Sequence, residues 1–391
     1  MKRVLLLICF LSLILSNVTF GQIDSLRKAA LSGKKDSTMV NMLNKLCLQL
    51  ANAGNYTDAL SYGKQALAIS NTISIPNSYT CKDASVTNGW VAGKITSYNT
   101  LGNIYYRQGN MTESLKNYLA ALKLSEENGS KSDAGYSYTN MGNVNTLQAN
   151  YDEALKNNFV ALKYFEETNN QTGVAYTYNN LGNVYEDQNS DKSLVYYQNA
   201  LNILENQNNK NGVATAYNNI GTVYHNRGNY DEALKNHLYS LKIYESTGNK
   251  QGIAASYNNI GNIYNRYHDF NQSLKYYTAA LAMQEEIGDK YGIATSYNNI
   301  ASAYYSLGNY PEAIVYYFAS ISIKEKIGDK KGLSTSYISL GFTYYKLKRY
   351  KESEKFCSKS LALAKEIGAD DLALLADKKL ASVIATEEAG R

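Results

Sequence analysis

Tyr257-Asn258-Asn259-Ile260-Gly261-Asn262-Ile263-Tyr264 is an octet that recurs, nearly intact, along most of this 391-residue chain. Its glycine returns as Gly102, Gly142, Gly182, Gly221, Gly261 and Gly341, with Ala301 in the remaining slot. The steps are 40, 40, 39, 40, 40 and 40 residues. A fixed period of this size marks a repeat array, in which each unit buries its apolar face only against its neighbours. An array supplies a surface rather than a reaction centre.

The unit from Gly252 to Asp289 shows what repeats. Tyr257, Ile260, Gly261 and Tyr264 are spaced i, i+3, i+4, i+7, which is one apolar face of a helix. A polar stretch, Asn265 to Asn271, follows, and then a second stripe through Leu274, Tyr277, Ala280, Leu281 and Met283. Ile287-Gly288-Asp289-Lys290 punctuates, with the glycine as helix stop. Each repeat is therefore helix, turn, helix, turn. Glycine inside a helix costs ~1 kcal/mol against alanine, so its recurrence in the first helix points to a close approach that admits no side chain. The second helix carries matching small residues: Ser114, Ala154, Ser193, Ala233, Ser273, Ala313 and Ser353, and again Ala121, Ala161, Ala200, Ser240, Ala280, Ser320 and Ser360. Larger residues such as Tyr118, Tyr197, Tyr277 and Tyr317 lie between them.

Tyr98, Leu101-Gly102, Tyr105, Ser114, Tyr118 and Ala121 resemble the tetratricopeptide repeat pattern. The resemblance covers roughly Asn41 to Ala385. It departs from the family in its 40-residue period, against about 34, and in lacking the terminal proline. The longer repeat is similar to those of kinesin light chain and of bacterial periplasmic sensory modules. The resemblance implies an all-α, right-handed superhelical solenoid with a concave groove lined by the first helices.

Residues 1–21 read as a signal peptide: Lys2 and Arg3, an apolar run from Val4 to Leu15, and small residues up to Gly21. Cleavage is expected before Gln22, giving an exported protein, periplasmic or secreted, with no membrane span in the mature chain. A lead-in (22–40) precedes a degenerate first repeat (41–70), with Leu43, Leu46, Cys47 and Leu50 in its first helix and Ala59 and Ala66 in its second. An insertion loop (71–94) carries Trp90, Pro76 and Cys81. It reads either as a loop folded over the stack or as a partner-contact arm anchored by Trp90. Seven repeats fill 95–369, and 370–391 supplies a capping helix, with Leu380, Ala381 and Ile384 in register.

The composition excludes more than it names. Formal charge is +5, from 39 basic and 34 acidic residues, and loss of Lys2 and Arg3 with the leader lowers it by two. That balance argues against nucleic acid and against an anionic membrane surface as partner. Lys, Asn, Tyr and Ile are abundant, as in AT-rich bacterial genomes. Most of the 37 tyrosines fall at repeat slots, and Tyr98, Tyr178, Tyr217, Tyr257, Tyr297 and Tyr337 read as core. The wide spacing of Cys47, Cys81 and Cys357 is no metal signature. A Cys47–Cys81 bridge competes with Cys47 as a buried thiol in the glycine slot, and Cys357 reads as a small hydrophobe. His237 takes a core aromatic slot, and His225 and His268 lie near turns. No zinc-spaced His-Glu pair, phosphate loop or nucleophile elbow occurs. Neither an enzyme nor a cofactor or metal site is expected. Acidic pairs such as Glu126-Glu127, Glu166-Glu167 and Glu285-Glu286 read as a solvated face.

Asparagine is what repeats opposite the apolar stripe. Two before and one after the glycine slot stand Asn103, Asn140, Asn143, Asn180, Asn183, Asn219, Asn259, Asn262 and Asn299. A carboxamide both donates and accepts, so a ladder of them suits the backbone of an extended peptide. It equally suits bonds between neighbouring repeats. Peptide-binding relatives use asparagines at such positions, so the resemblance implies a protein or extended peptide as partner. Thr96, Tyr136, Tyr176, Thr215, Ala255, Thr295 and Thr335 stand where a carboxylate clamp would need Lys or Arg. The competing functional reading is the sensory half of a signalling receptor.

Overall fold

The computed structural model describes residues 25–26, 36–52, 55–72, 84–186 and 188–389. Among these residues there are seventeen helices and no strand. They are α1 (Ser37–Asn52), α2 (Tyr56–Thr72), α3 (Ala84–Arg107), α4 (Met111–Glu127), α5 (Lys131–Leu147), α6 (Tyr151–Glu167), α7 (Gln171–Tyr185), α8 (Ser190–Asn206) and α9 (Lys210–Asn226). Then follow α10 (Tyr230–Thr247), α11 (Lys250–Arg266), α12 (Phe270–Ile287), α13 (Lys290–Ser306), α14 (Tyr310–Ile327), α15 (Lys330–Lys346), α16 (Tyr350–Glu366) and α17 (Asp370–Ala389). Odd numbers are first helices of a repeat and even numbers second helices. The array forms two compact units, one up to Val223 and one from Tyr224 onward.

The turns follow from local chemistry. Gly248, Gly288 and Gly328 end α10, α12 and α14 with φ of 67, 72 and 73°, the left-handed region where a Cβ is penalised. The next residue caps the following helix: Asn249, Asp289 and Asp329 each accept the amide of the residue three further on, at 2.9–3.0 Å. The Gly-Asx dipeptide thus stops one helix and starts the next.

Packing within a repeat rests on the glycine slot. A Cβ on Gly102, Gly182 or Gly261 would fall 2.5–2.6 Å from the ring of Tyr118, Tyr197 or Tyr277. The glycine is the seat of that ring. Ser114, Ser193 and Ser273 donate to the carbonyls of the same glycines at 2.9–3.0 Å. The three tyrosine side chains are at most 2% exposed. In the degenerate first repeat Cys47 stands in the glycine slot and is fully buried, its thiol donating to the Ala59 carbonyl. It is a free thiol that burial pushes up to about 12, and Cys81 lies outside the described residues. Cys357 is likewise free and buried, against Gly341.

Three readings of the sequence change. The insertion is helical from Ala84 onward as the start of α3, and residues 73–83 lie outside the described ones. Gly93 explains the close approach, since a Cβ there would meet Val40 at 3.0 Å. Trp90 packs on the cluster of Met39, Val40, Leu43 and Ala66, as part of the stack rather than as an extended arm.

The second change concerns the first-helix tyrosines, which are half-buried except for Tyr337. The rings of Tyr257 and Tyr297 pack on Tyr276 and Tyr316, while their hydroxyls reach Glu245 and Glu285 at the surface. A phenol is apolar along its body and polar at its tip, so the repeat boundary suits it better than the core.

The third is that the acidic pairs are not merely solvated. Glu126, Glu245, Glu285 and Glu325 accept from the tyrosine that begins the next repeat's stripe. Glu167, Glu286 and Glu366 pair with Lys131, Lys250 and Lys330, which joins the end of a second helix to the start of its own first helix. The predicted leader, residues 1–21, lies outside the described residues. Among those described, no helix is long and apolar enough to cross a membrane.

Candidate ligand groove

In the first unit, the first helices α3, α5, α7 and α9 together wall an open groove of about 670 Å³. Its lining includes Thr96, Asn99, Thr100 and Asn103 from α3, Asp133, Tyr136 and Asn140 from α5, Tyr176 and Asn179 from α7, and Thr215 from α9. Counted from the glycine slot, most of these are positions −6, −3, −2 and +1. At about 100° per residue the four positions fall within one arc of about 100°. The chain therefore shows the same face of each first helix to the cavity, and the −6 slot, with Thr96, Tyr136, Tyr176 and Thr215, lines it as the sequence indicates. Asp133 is the single charged residue in the wall.

The asparagines of the ladder meet different fates. Asn103 and Asn140 line the cavity. Asn180 is only 5% exposed and Asn183 is exposed; Asn143, Asn219, Asn259, Asn262 and Asn299 are half-buried. The face opposite the stripe is shielded because a first helix has another on its flank. Those one past the glycine slot are engaged within their own repeat: the hydroxyls of Tyr118, Tyr197 and Tyr277 donate to Oδ1 of Asn103, Asn183 and Asn262 at 2.6, 2.5 and 2.7 Å. Asn143 faces Asn158 where the others face tyrosine, and its Nδ2 donates instead to the Tyr176 hydroxyl at 3.3 Å. Asn299 donates weakly to Asn258 at 3.5 Å. Asn219 and Asn259 sit at the same register in α9 and α11.

The comparisons with known proteins fit this geometry. The tetratricopeptide repeat model matches residues 94–168, 173–246 and 252–326, and a second model of the same repeat matches 333–367. The chain belongs to the tetratricopeptide repeat family. Among curated proteins none matches it. A solved signal-transduction ATPase with numerous domains, carrying a tetratricopeptide repeat sensor, from Pyrococcus horikoshii, is similar over 94% of this chain with 17% identity and a TM-score of 0.60. The chain spans 62% of that protein. A Rap protein complexed with competence and sporulation factor is similar over 91% of this chain and all of its own, with 15% identity and a TM-score of 0.56. At such identities the likeness is one of fold.

In this tetratricopeptide array a second row of asparagines, at −3, does the joining between repeats. Ser97, Ser137, Ser296 and Ser336 donate to Oδ1 of Asn44, Asn99, Asn258 and Asn298 in the preceding repeat, at 2.9, 3.4, 3.1 and 3.0 Å. Sequence reasoning passed over this row. Its signal was present as a serine five before one glycine slot and an asparagine three before the previous one, but the pairing becomes visible only when two repeats are stacked. The row is broken in two places, one of them in α5, where Thr139 stands at −3 and bonds its own helix. The serine that would serve Asn179 is replaced by Ala216, and Asn179 Oδ1 is buried with no partner. Its neighbour Asn180 has Nδ2 buried without a partner. No group of three or more His, Cys, Asp or Glu able to hold a metal occurs among the described residues.

Proposed function

We propose that this protein is an exported, non-enzymatic scaffold that binds a protein or extended peptide in the groove of its first unit. The observation that carries the reading is the wall itself. Four first helices turn hydroxyls, phenols and carboxamides toward one cavity that holds a single charge, Asp133. Such a surface recognises neutral hydrogen-bonding groups and has no clamp for an acidic tail. Its volume lies within the ~300–1,000 Å³ of ligand sites. The Rap protein of similar fold is likewise complexed with competence and sporulation factor.

Thr96 is exposed on α3 within the wall, so Thr96→Trp fills the groove without disturbing the core. Partners captured from outside the inner membrane by the wild-type chain should be lost on this variant at an unchanged melting temperature. Equal capture by both would refute the groove as the binding surface. Export rests on the sequence of residues 1–21 and has its own test: mass spectrometry of the exported protein should find Gln22, or its cyclised form, first. A retained Met1 on a membrane-bound product would overturn it.

A further inference from the structure

Cations crowd the repeat of α15 and α16. Lys346, Lys348, Arg349, Lys351, Lys355 and Lys359 follow one another from the end of α15 into α16, and all are exposed. The turn gives up local order to hold them. Lys348 has a φ of 59°, the left-handed conformation that Gly109, Gly228 and Gly308 supply at the same place in other repeats. Arg349 stands at the helix cap, where Asn110, Asn189 and Asp269 accept the amide of the residue three further on. A guanidinium has no acceptor to offer there. Lys351 replaces Asp152, Asp191 and Asp231, and Lys359 replaces Ala120, Val160, Ala279 and Ala319.

Arg349 also rearranges the ion pairs. Lys116, Lys156 and Lys235 each pair with the glutamate three residues before, at 3.0–3.4 Å. In α16 the equivalent Glu352 accepts from Arg349 Nε at 2.8 Å, so Lys355 loses its carboxylate. Among the described residues none of Lys351, Lys355 and Lys359 has an ion-pair partner. The Phe356 ring lies 5.8 and 5.9 Å from the ammonium groups of Lys355 and Lys359 and steadies both. Helix positions i, i+4 and i+8 fall within an arc of about 80° and rise about 6 Å at each step. Lys351, Lys355 and Lys359 therefore form one straight stripe, which Lys348 extends at the turn.

We infer that this stripe docks an acidic helix of a partner protein, whose carboxylates at i, i+4 and i+8 match the lysines. The surface belongs to the second unit and is independent of the groove reading. Its shape selects the partner. Glu354 is exposed beside the stripe, and no large apolar side chain lies within it. A phosphate backbone or an anionic bilayer presents charge to the whole face, Glu354 included, and firm bilayer binding also calls for apolar groups that enter it. Discrete carboxylates meet only the lysines.

The probe is a fluorescein-labelled, alanine-rich helical peptide with glutamates at i, i+4 and i+8, titrated onto the full chain by anisotropy. Its control is an isomer with the same glutamates spread around the helix. Two double variants return the patch to residues that other repeats carry: Lys351→Asp with Lys359→Ala, and Lys348→Gly with Arg349→Asn. The first should weaken the striped peptide about ten-fold, the worth of a few exposed ion pairs. The second returns Glu352 to Lys355 and should weaken it about three-fold, while the melting temperature rises because the glycine and the cap are restored. Added salt should weaken binding steeply, and Thr96→Trp in the groove should leave it unchanged. Equal binding of the isomer would overturn the match of spacing. Loss on Thr96→Trp, with both patch variants binding as the wild type does, would move the peptide to the groove and overturn the stripe. An oligonucleotide or a phosphatidylglycerol vesicle held more tightly than the striped peptide, and released by the same variants, would replace the protein partner with a phosphate-bearing one. No binding of the striped peptide at low salt ends the proposal.

Discussion

His237 occupies the slot that holds tyrosine in α8, α12 and α14, and it is 1% exposed. Burial, followed by the nearby His225, lowers its pKa from 6.5 to about 4. The folded protein therefore resists a proton that the unfolded chain accepts. The stabilising difference is fully present above pH 6.5 and is lost as pH falls toward 4, amounting to roughly 3 kcal/mol at the acid end. Across that window the melting temperature of His237→Tyr should fall less than that of the wild type. Parallel curves would show that the ring does not titrate as its burial requires. Glycine divides into two roles at the same scale. Gly261→Leu should cost ~1–3 kcal/mol, because the side chain must displace the Tyr277 ring. Gly228 has open space around it but a φ of 76°, so Gly228→Ala should still cost on the order of 1 kcal/mol through the backbone. Thermal melts of the two variants separate packing from conformation, and a neutral Gly261→Leu would contradict the close approach.

Helices were legible because each carried its own punctuation. The 40-residue return of the glycine, the apolar stripes and the Gly-Asx stops placed the elements with no tertiary information. The start of α3 was not legible, because Trp90, Gly89 and Gly93 suggest a loop until Val40 and Leu43 are seen across from them. The groove was legible in part. Its −6 slot was reached through the family resemblance, as the positions a carboxylate clamp would occupy, whereas the −3 row depends on a bond between residues about one repeat apart. Capping gives the element scale its prediction. Asp289→Ala removes the acceptor for the Gly292 amide and should destabilise α13 by ~1 kcal/mol. Because repeats contact mainly their neighbours, amide exchange should rise first in α12 to α14. A uniform rise across all described helices would contradict a locally stabilised array.

At the scale of the whole molecule, the fold concentrates charge away from the cavity. The lysine–glutamate pairs lie at repeat ends, and the groove wall of the first unit keeps one carboxylate. Binding there should depend weakly on ionic strength, since few ion pairs form or break. A steep loss with salt would move the contact to the basic residues Arg107, Arg266 and Lys346. Second helices of the first unit offer a competing surface, with Leu119 and Phe159 exposed. Hydrogen exchange with and without a bound partner peptide discriminates between the two faces. The account predicts protection confined to Thr96–Asn103 of α3, Asp133–Asn140 of α5 and Thr172–Asn180 of α7. Protection on α4 and α6 around those exposed residues, with α3, α5 and α7 unchanged, would contradict it.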